Sequence, residues 1–460
     1  MSSPQPIRAY PRRSLAGPVV LIIVGVVFLL ANMRLITWPS LGYWFAHYWP
    51  VLIIIWGVVK LLEYFRARQE GYTPSGIGAG GVCFLIFLVL FGLSATSAYR
   101  VNWGRVGSEL DLDQDFVSLF GNSYSYSDTI EQAFTPGTAL QVMSDHGDIT
   151  VTAWEEPKIK VVVHKRVVAG SEDEAKKIDG QTKPVLTPGD KKLVLNANTN
   201  GAGDHPVASD LEIFIPRNAA LDLATRHGDV VVRGRDGNLK IATSRGDVTL
   251  EDVKGDAAVT MRGGDIRAEN VTGDVSLEGR VSDTSIRNVG GGLSLSGTFT
   301  GQMKLNSIAK SVRFNSERTD LRFGALNGEM SMDLGELRVS SFAGPFSVTT
   351  RSKDIHLDDV SGDVKIENTN GEVEVHANKL PLGNIEIDNR KGEIQVTVPP
   401  NAGFSIQAKT RRGDIDTSQL PGVRQTNEHG EATAEGTVGS GGPRLQINNE
   451  YGGITVRKSG

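Results

Sequence analysis

The chain has 460 residues, 53 glycines, a single cysteine and a formal net charge of −5. That length leaves room for two or three domains, and so mild a charge gives no reason to expect a nucleic-acid partner. The lone Cys83 excludes an intrachain disulfide framework and a thiolate metal cluster.

Three apolar stretches open the chain. Leu15 to Met33 is interrupted only by Asn32, Tyr43 to Leu62 only by His47 and Lys60, and Ile77 to Ala98 carries no charge. Each has about the 20 residues that a helix needs to cross a bilayer, where an isolated span must satisfy its own backbone. Trp38, Tyr43, Trp44, Tyr48, Trp49, Tyr64, Tyr99 and Trp103 flank them, as expected at the headgroup level. A cleaved signal peptide would use Arg8, Arg12 and Arg13 as its basic region, but the first run is long and no small-residue cleavage site follows it. Those arginines and Lys60, Arg66 and Arg68 outnumber Arg34, Arg100 and Arg105 on the other side. The positive-inside rule therefore predicts a multi-pass protein of the inner (cytoplasmic) membrane, with the amino terminus in the cytoplasm and everything after Ala98 outside it. Lys60 is placed to snorkel and His47 to sit near the outer interface, so neither marks a transport path.

A polar linker is expected over 100–135, with SELDLDQD and NSYSYSD segments. Period-2 alternation then predicts a β-rich capping module over 136–220, with strands at ITVTAW, IKVVVHKRV, KKLVLNAN and DLEIFIP. Ser171 and Glu174 form a capping-box pattern before a short helix through Ile178.

From there a Gly-Asp pair recurs every 18 residues, at Gly228-Asp229, Gly246-Asp247 and Gly264-Asp265. A half-beat copy falls at Gly255-Asp256 and Gly273-Asp274. Within the phrases RGDVTLEDVKGD and GGDIRAENVTGD the apolar residues lie two apart and then three apart. Two-apart spacing puts side chains on one face of a strand, the extra residue turns the chain, and Gly takes the turn while Asp bonds nearby amides. Two half-phrases make one coil of a mainly β fold, a parallel β-helix or β-solenoid over 221–425, with Val230, Val248 and Ile266 in one ladder. The beat loosens between about Gly290 and Thr350, where Phe314, Phe323, Phe342 and Phe346 thicken the core. It returns at Gly362-Asp363, Gly371-Glu372, Gly392-Glu393 and Gly413-Asp414. The polar stretch and strand pattern of 426–460 predict a cap for the far end. An antiparallel sandwich would not keep an 18-residue register.

The segment from Phe134 onward resembles the bacterial putative-adhesin family of β-strand-repeat domains of unknown function. The resemblance is carried by FTPGTALQVMSDHGDITVTAWEE, DLEIFIPRNAALDLATRHGDVVV and the SRGDVTL-type phrases. It implies a β-repeat fold and brings no catalytic motif. GPVVLIIVGVVFLLANMRLI and WPVLIIIWGVVKLLE look like the LiaI/LiaF-type membrane segment of cell-envelope stress proteins.

Arg245-Gly-Asp247 and Arg412-Gly-Asp414 read as turns rather than adhesion tripeptides, because Gly-Asp belongs to the beat. Stacked Asp229, Asp247 and Asp265, and Asp256 and Asp274, would repel unless calcium or turn amides offset them, and turn amides are the simpler answer. His356 and His376 read as isolated surface residues. No catalytic, metal or cofactor-binding residue is assigned. The expected role is a non-enzymatic envelope binding or scaffold module. Its expected partners are the lipid bilayer and another membrane or envelope protein or a surface glycan. An envelope-stress regulator and a carbohydrate-active β-helix enzyme are the alternatives.

Overall fold

A computed structural model describes residues 122–203 and 205–459. The three spans expected at 15–33, 43–62 and 77–98, and most of the 100–135 linker, lie outside the described residues. Among the described residues no helix is long and apolar enough to cross a membrane. Packing assigns residues 125–167, 178–203 and 207–459 to one unit, and residues 168–177 fall outside it. Within 168–177, Ser171 Oγ accepts from the Glu174 amide at 3.3 Å, and Glu174 Oε2 accepts from the Gly170 amide at 2.9 Å. Ser171 caps as expected, while Glu174 reaches back to Gly170 rather than to the Ser171 amide, and the helix runs Glu172–Gln181, past Ile178.

The larger unit is built from short strands that alternate between two sheets. Val230–Arg235, Val248–Val253, Ile266–Val271, Thr284–Val289 and Met303–Ile308 stack in parallel in the first sheet. Leu221–His227, Leu239–Arg245, Ala257–Met261, Val275–Val281, Leu293–Phe299 and Val312–Asn315 stack in parallel in the second. Val248 pairs with Val230 on one side and Ile266 on the other, so the predicted ladder is in register. Every second side chain points inward, and Val230, Val248, Leu250 and Ile241 are fully buried in one continuous core.

The stack is not parallel throughout. Val312–Asn315 folds back onto Thr319–Phe323, which is antiparallel to Phe346–Thr350. Leu326–Met332 in turn lies antiparallel to both Met303–Ile308 and Glu336–Ser340. Residues 319–332 thus form one coil traversed backwards, entered and left through hairpins. This is why the beat loosens there: a coil run in reverse cannot keep the 18-residue phase of its neighbours. Phe323, Phe342 and Phe346 pack together at this point, with ring centroids 5.0 to 5.9 Å apart. Parallel stacking resumes at Glu336–Ser340 on Asp354–Asp358.

Both ends hold a coil that is out of sequence order. Ala139–His146 and Ile149–Trp154 pair with Leu221–His227 and Val230–Arg235 on one side. On the other side they pair with Lys192–Asn196 and Val207–Pro216. At the far end Arg444–Tyr451 lies between Leu382–Lys391 and Phe404–Arg412, and Ile454–Lys458 between Ile394–Val398 and Ile415–Asp416. The antiparallel strands Val423–Glu428 and Glu431–Val438 lie outermost on the second sheet.

Candidate functional site

The Gly-Asp corners form columns along the stack. The backbone N–H of Asp229 donates to Asp148 Oδ1 at 2.9 Å, that of Asp247 to Asp229 at 2.8 Å, and that of Asp265 to Asp247 at 2.8 Å. The column continues through Asp283 and ends where Gln302 donates to Asp283 Oδ1 at 2.8 Å. A second column runs Asn238, Asp256, Asp274, Gly292 in the same way. Each carboxylate therefore binds the amide of the next coil in the stack, 81 residues along the chain for Asp148 and 18 or 19 for the others, rather than its own turn. A charge-assisted bond of this kind offsets the repulsion between stacked carboxylates. Partial burial raises the Asp148 carboxyl above its ordinary value against the pull of the Asp229 amide, and its neighbours Asp210 and Asp229 push the same way.

Glycine is needed beside each of these aspartates for a steric reason. Gly246 has φ 131°, and a Cβ there would lie 2.1 Å from the Gly228 carbonyl oxygen of the coil below. Gly228 and Gly264 meet the carbonyls of Gly147 and Gly246 at 2.2 Å in the same way. Both Arg-Gly-Asp tripeptides lie on such corners. At the second, Arg412 stacks over the Tyr451 ring at 5.5 Å, and a Cβ on Gly413 would meet the Gly452 carbonyl oxygen at 2.1 Å.

Three further columns escaped sequence reasoning. At the strand ends Asp252, Asn270 and Asn288 adopt φ 56–60°, and each Asn Nδ2 donates to the Oδ1 of the previous coil at 2.9 Å. Inside the second sheet Thr319, Thr350, Asn368, Asn389, Asn449 and Thr410 follow one another in register. Thr319 and Thr350 hydroxyls are 2.9 Å apart, and the Asn389 and Asn449 amides donate to the Gly371 and Gly392 carbonyls at 3.1 and 2.8 Å. The third is an ionic network on the outer face of the first sheet. His356 Nδ1 lies 2.9 Å from Glu374 Oε2, and His376 Nε2 lies 2.9 Å from Glu374 Oε1. His356 Nε2 faces Glu336 at 3.3 Å and His376 Nδ1 faces Asp358 at 2.8 Å. The hydrogen bond from His356 holds the Glu374 carboxyl below its ordinary value against partial burial, and the two imidazoles pull the same way. The expectation of two isolated histidines is thereby corrected. The signal was present in the spacing, since His356 and Glu374 are one coil apart, as are Asp358 and His376.

Two histidines at the corner preceding the Asp column, His146 and His227, stack with centroids 4.8 Å apart. Burial lowers the His146 pKa, and His227 adds to that shift. Among the described residues no group of three or more His, Cys, Asp or Glu side chains is placed to hold a metal ion.

The Toastrack DUF4097 family matches residues 140–457, well over half of the chain. The chain belongs to that family. The toastrack match begins in the out-of-order amino-terminal coil and ends in the inserted carboxy-terminal one. The LiaF transmembrane domain matches residues 16–107, so a membrane-anchoring segment precedes the toastrack domain. No curated protein matches the chain. Among solved structures it is similar to a putative cell adhesion protein from Clostridium sporogenes, at 11% identity and TM-score 0.19, covering 73% of this chain and 100% of the other. It is also similar to a putative adhesin from Bacteroides fragilis, at 10% identity and TM-score 0.21, covering 73% and 97%. Likenesses this distant say nothing of activity.

Proposed function

We propose that this is a non-enzymatic binding or scaffold module of the bacterial cell envelope, held at the inner membrane by three spans, with the toastrack domain outside the cytoplasm. One observation carries the reading: the repeated aspartates, the chain's most regular chemistry-bearing residues, are engaged by amides of neighbouring coils. The acids thereby serve the stack, and two long polar sheet faces remain to meet a partner. The LiaF-type match supports the membrane anchor, and the Lys/Arg distribution supports the orientation.

Three experiments test it. A reporter active only in the cytoplasm, fused after residue 460, is expected to be silent, and a strong signal would reverse the topology. Co-purification of the full chain in mild detergent is expected to recover an envelope component. Turnover of a polysaccharide by the pure protein, read by a reducing-end assay, would replace this reading with a carbohydrate-active enzyme. The LiaF-type segment also favours a second reading, a regulatory subunit that passes an envelope signal to another membrane protein, and recovery of a membrane kinase or transporter would support it.

A further inference from the structure

On the outer face of the first sheet, four successive coils border a groove of about 330 Å³. One wall is the Asp column: Asp247, Asp265 and Asp283. The opposite wall, two residues further along each strand, reads Thr249, Arg267, Ser285 and Lys304. Long cationic side chains thus alternate with short hydroxyls, so a depression opens at Ser285 between Arg267 and Lys304. Arg287, on the same strand as Ser285, adds a third cation to its rim. Arg267 is paired with Glu269 at 3.3 Å, whereas among the described residues Arg287 and Lys304 have no ion pair.

The two walls differ in chemistry. Each Asp Oδ1 is occupied by the amide of the next coil, at 2.8 to 3.0 Å, which fixes the carboxylate and leaves its second oxygen as an acceptor. The opposite wall offers donors with net positive charge. A ligand that satisfies both must carry an acidic group for Arg287 and Lys304 and hydroxyl donors for the aspartates. The coils repeat at about 4.8 Å, near the advance of one sugar unit in an extended chain, so successive units can meet equivalent groups. We propose that this groove binds a linear acidic polyol polymer, a glycan-like chain bearing carboxylate or phosphate groups, with the acid seated at Ser285 among Arg267, Arg287 and Lys304. The proposal rests on the reading of the domain as a binding module and names its ligand class.

The test uses the full chain in detergent micelles and measures binding isotherms at low and physiological salt. The probes are polygalacturonate, poly(glycerol phosphate) and neutral dextran. At least one of the two acidic polymers is expected to bind, the stronger of the two identifying the acidic group, and dextran to bind at least tenfold more weakly. The double variant Arg287→Gln/Lys304→Gln is expected to weaken acidic-polymer binding at least tenfold with an unchanged melting temperature. The control Lys240→Gln/Arg313→Gln removes the same charge from the second sheet and is expected to retain binding. Equal losses in the two double variants would reduce the effect to net charge and overturn the proposal. Dextran binding equal to that of the acidic polymers would overturn it as well. Failure of both acidic polymers, with an envelope component still recovered in co-purification, would remove the groove and leave the binding-module reading standing.

Discussion

Residue positions in this domain are set by what lies one coil away. Gly246 is the sharpest case, because both its φ and the Gly228 carbonyl beneath it exclude a side chain. Gly246→Ala is expected to cost at least about 2 kcal/mol in chemical denaturation, and no measurable loss would mean that the corner shifts freely. Asp148 makes a gentler prediction. Its folded-state pKa is raised, so its ionised form costs stability at neutral pH, and that cost is relieved as the pH falls through the raised value towards 3.8. Asp148→Asn keeps an oxygen for the Asp229 amide and removes the charge. It is expected to be slightly more stable than the parent at pH 7, by less than about 1 kcal/mol because the site is solvent-screened, with the gain shrinking towards pH 4. Melting curves across that range would show it. The Gly-Asp beat was legible in the sequence, and so was its role in turns. Its bonding partner was not, because a local turn and a stacked coil use the same residues, and only the stack places another amide 2.8 Å away.

At the scale of elements, the reversed coil depends on two hairpins. At the second, Asp333 Oδ1 accepts from the amides of Gly335 and Glu336 at 2.8 Å each, and the buried Lys353 donates to the Asp333 carbonyl. Those two amides hold the Asp333 carboxyl below its ordinary value of 3.8. Its contribution is therefore present above that pH and is lost as the pH falls through the lowered folded value. Asp333→Ala is expected to cost about 1 kcal/mol at pH 7 and to speed amide exchange over 326–340. Unchanged exchange would mean that the hairpin is held by the Phe323, Phe342 and Phe346 packing instead. The inward asparagine column makes a separate prediction. Asn389→Ala removes a buried amide that donates to the Gly371 carbonyl and is expected to cost about 1 kcal/mol in denaturant melts. Strand positions followed from the period-2 pattern. The reversal did not, since a hairpin and a coil corner are both short polar turns between apolar pairs. What separates them is whether the next strand finds its partner on one side of the stack or the other.

For the whole molecule, the decisive feature is that chain order and stacking order disagree at both ends. Residues 444–458 fill the gap between Leu382–Lys391 and Phe404–Arg412 in one sheet, and between Ile394–Val398 and Ile415–Asp416 in the other. Ending the chain at Gly442 is expected to detach everything from Phe404 onward from its packing surface, with loss of solubility or a large fall in melting temperature. A shortened chain with parental melting behaviour would show that the outer strands close the gap by themselves. The sequence by itself determined the repeat length, the inward ladder, the turn role of the Gly-Asp corners, the apolar spans and the family. These depend on periodicity and side-chain volume, which are local properties. Tertiary structure decided the reversed coil, the inserted end coils, the amide partners of the aspartates and the groove between the Asp column and the Arg267–Lys304 row. Each of these depends on which strand lies beside which, and strands with the same apolar pattern are interchangeable until the stack assigns each its neighbours.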